Sequence, residues 1–515
     1  VLARRTAAVL VPGVFLIPAV HLAALSITRD GGLSLAAYRE AFDPRFLPVL
    51  GRTALLAAGA ALIATALGGL AAAVFERREF PCRRLFRAAA LAPLLLPPVF
   101  QVAVWERLAV PGGILASLFG APEEKPFPIR NPAWAAFLLG LGYSPLLFFF
   151  ASQGLRAVPR ELVEAARLAH GPAAVWARVI APLGAPFLLA GSAIAFTLSF
   201  LNYEVPRLLE VPTYPVLVQA SYGAVDDPGL AFAFASPGLA LAAAAVALAG
   251  TWAGRKGFAL TGRESPEALG PEGRPGVAAW SILAGWWGLT AILPLAVLVR
   301  LAGPLATYRL ALSTDGEKVL SSLATAASAG VLAAAIAGVS LLGGGRRPGR
   351  LAFLVWIALA LPGSLLAFAL TRTFRHGPLV AVHDSWAMAA IAGTFRFFPL
   401  AYFALAAHLR SVPDEEWEAA ALGRSWAARW FRAGLPLAAP GLAAGAVAVA
   451  LFTASELPAT LLLAAPGREP LLVRIYNLLH YDPERDLLAA LSIFHVASAA
   501  LVAGAFLAAG RALRR

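Results

Sequence analysis

Few residues in this 515-residue chain are of the types that make or break bonds. It carries one cysteine, seven histidines and only three lysines, Lys125, Lys256 and Lys318. A phosphate-cradling loop needs GxxxxGK followed by Ser or Thr, so that backbone amides and the lysine meet the nucleotide phosphates. The lysines stand in APEEKPF, GRKGFA and DGEKVL, and none fits that pattern. The histidines are scattered without ligand spacing. Cys82 alone can form neither an intrachain disulfide nor a Cys cluster. No catalytic set, metal site or cofactor site is expected.

Charged residues gather instead in a passage written twice. RAVPRELVEAARLAHG (156–171) returns 254 positions later as RSVPDEEWEAAALG (410–423). Pro159 and Pro413 suit the first helical position, where no amide donor is needed. Glu161 and Glu164, or Asp414, Glu415 and Glu416, place negative charge where the helix dipole favours it. Gly171 and Gly423 are expected to stop the helix as C′ glycines, and His170 to cap its end. The pattern predicts a short amphipathic helix of about three turns. Its chemistry would be recognition by charge and shape.

The elements that hold these passages are apolar. Hydrophobic residues make up 59% of the chain and charged residues 14%, with mean hydropathy +0.73. The apolar residues fall into blocks of about 20, the length that crosses ~30 Å of hydrocarbon. We read twelve: 7–27, 53–75, 88–105, 133–152, 187–209, 230–252, 277–301, 319–342, 351–370, 386–409, 442–463 and 487–507. The first is read as an uncleaved first helix. The expected fold is an all-α polytopic membrane protein, because a β-barrel would alternate apolar and polar residues. The net charge of +13 fits the positive-inside rule better than nucleic-acid binding. Both duplicated passages, ERREFPCRRLFR (76–87), 254–276 and both termini are then cytoplasmic.

The repeat extends beyond the charged passage. At the same offset Pro145 matches Pro399, Pro182 matches Pro436, Pro186 matches Pro440 and Gly191 matches Gly445. Such a register marks an internal repeat. The division expected is a first six-helix half (1–253), a cytoplasmic linker (254–276) and a second six-helix half (277–515). Six spans per half make the two repeats parallel.

E-A-A, a glycine shortly after and a hydrophobic-Pro about 20 residues on resemble the EAA loop of ABC importer permeases. The resemblance covers both halves and implies the type I importer permease fold in a bacterial inner membrane. It implies coupling roles for Glu164, Ala165, Ala166 and Gly171, and for Glu418, Ala419, Ala420 and Gly423. It also implies two copies of a cytoplasmic ABC ATPase carrying ATP and Mg, and an extracytoplasmic solute-binding protein. The glycines depart from the family spacing, standing seven residues after Glu164 and five after Glu418.

For the solute pathway the fifth span of each half ends in a polar, Pro-broken segment, SFLNYEVPRLLEVP (199–212) and TASELPATLLLAAP (453–466). Asn202, Glu204 and Glu456 are the pathway candidates. An unpaired carboxylate in hydrocarbon costs at least ~2.5 kcal/mol, so Glu456 is expected to face a cavity opposite Asn202. Arg396 is expected to be buried or to mark a helix end. Tyr476, His480 and Tyr481 are expected on an outer amphipathic surface helix, with contact to a binding protein as the alternative. The SELPATLLL segment is similar to those of ferric iron permeases, with thiamine permeases as near relatives. The rival class is a secondary transporter with two parallel six-helix halves, which would need an intramembrane ion relay and no duplicated coupling loop.

Overall fold

A computed structural model describes residues 17, 20–29, 32–42, 46–90, 92–120, 126–224, 227–255, 273–344, 355–421, 430–464, 467–481 and 485–514. Apart from a two-residue antiparallel ladder, Thr28–Arg29 with Gly32–Leu33, the described elements are helical. Two compact units emerge, each assembled from non-contiguous stretches.

One unit comprises Pro44–Leu217 and Ala244–Gly303. Its main helices are α1 (Leu47–Arg77), α2 (Pro98–Leu108), α3 (Pro132–Arg156), α4 (Arg160–Ala169), α5 (Ala181–Phe200), α6 (Glu204–Leu208) and α7 (Val277–Trp287). α1 and α3 approach closely because small residues face each other, as membrane helices favour. A Cβ on Gly140 would stand 2.7 Å from Ile63 Cβ, and one on Gly68 would strike the Ser144 carbonyl. The segment after the 254–276 stretch joins this unit through aromatic packing. Trp286 stacks on Phe148 at 5.0 Å, and its Nε1–H donates to Ser144 Oγ at 3.0 Å.

The other unit comprises Val1–Asp43, Val218–Ala243 and Pro304–Arg515. It is built on α8 (Leu305–Gly344), α9 (Gly363–Phe374), α10 (Ala387–Ser411), α11 (Asp414–Ala421), α12 (Leu435–Ala454), α13 (Pro458–Leu463), α14 (Leu471–Tyr481) and α15 (Arg485–Arg514). Glycine again permits close packing: a Cβ on Gly445 would lie 2.8 Å from the Ala401 Cα.

Eight described helices are long and apolar enough to cross a membrane, or nine if one bent pair counts as a span. The other expected blocks differ for identifiable reasons. Block 88–105 is bent by 79° between Leu85–Leu95 and Pro98–Leu108. The break falls at Pro97, which cannot donate a helical amide. Block 351–370 begins outside the described residues and is interrupted before Gly363, where Pro362 serves as N-cap. Block 230–252 lies in helix Pro228–Arg255, with Gly229–Ala245 as a shorter apolar stretch. Block 7–27 and the linker 254–276 lie mostly outside the described residues.

Four elements recur with starts 254 residues apart: α4 and α11, a π-helical turn at Trp176–Ile180 and Trp430–Gly434, α5 and α12, and α6 and α13. The π turns have a local cause. Pro182 and Pro436 lack an amide and crowd the carbonyl four residues earlier, and a wider turn relieves that crowding.

Candidate functional site

Helix α4 is held to its unit by one face. Val163 is fully buried, in a cluster with Phe75, Phe80, Phe148, Leu155 and Val158, and Ala166 packs partly against it. The rest of the helix surface carries Glu161, Leu162, Glu164, Ala165, Arg167 and Leu168, all exposed. Leu168 is 92% exposed and Leu162 51%. Glu164 Oε1 accepts from Arg160 Nε at 2.6 Å, one helical turn back. Both side chains are more than half exposed, so the pair contributes little to stability.

Pro159 stands at the N-cap, one residue before the expected first helical position. Helix α4 ends at Ala169, with His170 as C-cap, its N–H donating to the Ala166 carbonyl. Gly171 does not act as a left-handed C′ residue. Its φ of −68° and ψ of 164° are extended, and it caps the next short helix instead. In α11, Glu415, Glu416 and Glu418 are exposed and Trp417 is half-buried. Ala419 and Ala420 continue that helix, and Gly423 lies outside the described residues.

A support for α4 was not legible as such in the sequence. Glu76, buried at the end of α1, accepts from Arg83 Nη2 at 2.6 Å and from Arg87 Nη2 at 3.2 Å. Both guanidinium groups lie over the Phe75 ring, at 5.2 and 5.7 Å. Burial pulls the Arg83 pKa down, and the Glu76 carboxylate opposes that shift. The basic loop is thus pinned onto the same aromatic cluster that seats Val163. The available signal was an acid at the end of an apolar run with arginines seven and eleven residues later.

The polar segments after α5 and α12 are true helix breaks. α5 stops at Phe200 and α6 starts at Glu204, while α12 stops at Ala454 and α13 starts at Pro458. The breaks precede Pro206 and Pro458, so those prolines sit inside or at the start of the short helices. Asn202 Oδ1 accepts from the Val205 N–H at 3.0 Å, and Glu456 Oε1 accepts from the Ala459 N–H at 3.2 Å. Side chains at one repeat position therefore open both short helices with the same cap. Glu204 is buried, whereas Arg207 is exposed.

Glu456 is not an unpaired carboxylate. It forms an ion pair with Arg396, and both residues are nearly fully buried, at 7% and 5% exposure. The expected turn of this carboxylate toward a cavity is therefore not required, because Arg396 compensates its charge. On α14, Tyr476 is buried, Tyr481 is exposed, and His480 lies 4.5 Å from the Tyr481 ring centroid, an amphipathic surface arrangement. Among the described residues no group of three or more His, Cys, Asp or Glu side chains could hold a metal ion.

No family model matches the chain. A curated relative, the Inner membrane ABC transporter permease protein YdcU of Escherichia coli (strain K12), is 24% identical over 229 residues. That match covers 41% of this chain and 72% of the relative. The chain is a distant homologue of an ABC transporter permease. Its long apolar helices make the chain a multi-pass helical membrane protein, and permeases such as this relative are typically non-catalytic.

Proposed function

We propose that this chain is the membrane subunit of an ATP-driven importer, with α4 and α11 as coupling helices for two separate cytoplasmic ATPase copies. The observation that carries the reading is α4 itself. One buried valine fixes the helix, and the rest of its surface presents exposed leucines among charges. Its duplicate begins 254 residues later, ahead of an equivalent π turn, long helix and capped short helix. Two docking helices in one chain match two motors.

In this reading the chain forms twelve spans in two parallel six-helix halves, 1–253 and 277–515, with cytoplasmic termini and a cytoplasmic linker. An extracytoplasmic binding protein delivers the solute. Asn202, Glu204 and Glu456 lie along its path, at the breaks of the fifth spans. The SELPATLLL resemblance favours ferric iron as the solute, with thiamine as the alternative.

Charge reversal at the docking faces tests the coupling assignment. Glu164→Lys and Glu418→Lys each alter an exposed position, so folding costs should stay near ~0.5 kcal/mol. Each is expected to cut co-purification of the ATPase with the membrane chain while membrane insertion stays at the wild-type level. Unchanged ATPase association in both variants would remove the coupling assignment.

A further inference from the structure

The two helix breaks lie in corresponding surroundings but differ at three positions. In one unit the set is Gly142, Pro98 and Asn202. In the other it is Arg396, Gly363 and Glu456. Arg396 and Glu456 stand 254 positions after Gly142 and Asn202. Pro98 and Gly363 each open a helix directly after an N-cap proline, Pro97 or Pro362, with closely similar backbone angles. The surroundings also correspond. α6 packs on α2 and α3 within its unit, as α13 packs on α9 and α10 within the other.

Volume and charge are compensated inside each set. A Cβ on Gly142 would lie 3.3 Å from Pro98 Cγ, so the proline ring fills the space beside a helix face without a side chain. In the second set a guanidinium replaces the hydrogen of Gly142, and the partner position has shrunk to glycine. A Cβ on Gly363 would strike Glu456 Oε1, lie 2.6 Å from Arg396 Nη1 and 3.1 Å from the Ala459 amide. Neutral Asn202 becomes the Glu456 carboxylate in the same cap, and the added negative charge meets the added positive one. Arg396 lies nine residues into α10, about 13 Å along it, so the pair is buried within an apolar helix bundle. Removing one partner of such a pair is costly, while removing both together is much less so.

We infer that Arg396 and Gly363 are positioning residues for Glu456, and that the three act as one interdependent unit fixing the break before α13 on one side of the repeat only. At the corresponding positions the other unit carries the neutral residues Gly142, Pro98 and Asn202. The claim about geometry stands independently of transport, and its consequence for the solute path rests on the reading given under Proposed function.

The test uses the full chain with Cys82→Ser and Ala459→Cys, because Ala459 is buried and its amide receives the cap. R396G, G363P and E456N are introduced singly and together, beside R396M, E456Q and R396M/E456Q. Each single change is expected to shift the folded population roughly 100-fold or more toward unfolded, and to speed maleimide labelling at position 459 by at least about tenfold. The triple variant should return labelling to within about threefold of the parent, and R396M/E456Q should label more slowly than R396M or E456Q alone. Parent-like labelling in the singles would overturn the proposal, and so would a triple variant as reactive as its worst single. ATP hydrolysis by the complex assembled with the triple variant separates the two claims. Lost hydrolysis in a well-folded complex supports a path role for Glu456. Retained hydrolysis removes that role and leaves the interdependence standing.

Discussion

Val163 is the side chain through which α4 is anchored, and its neighbours on the helix face outward. Val163→Ala removes two buried carbons, worth about 1.6 kcal/mol at ~0.8 kcal/mol per group. The loss should fall on α4, seen as faster amide exchange over 160–169 with unchanged exchange in α3. Equal protection in both proteins would mean that α4 is held by something other than this contact. Glu164 and Glu418 were legible in the sequence because charge is scarce in this chain and theirs recurs in register. The partner of Glu456 was not. Arg396 stands 60 residues before it on another helix, and no local pattern links the two positions. An isolated acid in an apolar run reads the same whether its counter-charge comes from solvent, solute or a neighbouring helix.

At the scale of elements, helix packing depends on where glycine occurs within one helix. In α1, nothing lies within 4 Å of a Cβ added to Gly51, while one added to Gly68 meets the α3 backbone. Gly51→Ala should stabilise by about 0.5–1 kcal/mol, the usual gain from replacing a helical glycine. Gly68→Ala should destabilise by about 1–3 kcal/mol or more through overpacking. Thermal unfolding in detergent checks both, and shifts of the same sign would contradict the packing described. The apolar blocks located the long helices because length and composition alone define a membrane-crossing segment. They did not locate the breaks. Pro97 and Pro362 sit inside apolar runs, where hydropathy averages across a bend that one missing amide creates. The fifth spans were recognised as interrupted, but the interruption precedes the prolines, because Asn202 and Glu456 cap the new helices.

For the whole molecule, the repeat in the sequence predicted equivalence between distant segments, and the 254-residue spacing of four element pairs agrees with it. The compact units nevertheless draw on non-contiguous stretches. The segment Val277–Gly303 belongs with Pro44–Leu217, through contacts such as Trp286 with Phe148 and Ser144. Aromatic residues on two apolar runs do not reveal from composition which runs they join, so this assignment came only with the structure. In the proposed function, one chain supplies both docking helices of an ATP-driven importer. Native mass measurement of the complex purified from membranes through a tag on this chain tests it most directly. One copy of the chain with two copies of an ATPase is expected. A functional particle with two copies of this chain, or one that transports with no ATPase bound, would contradict it.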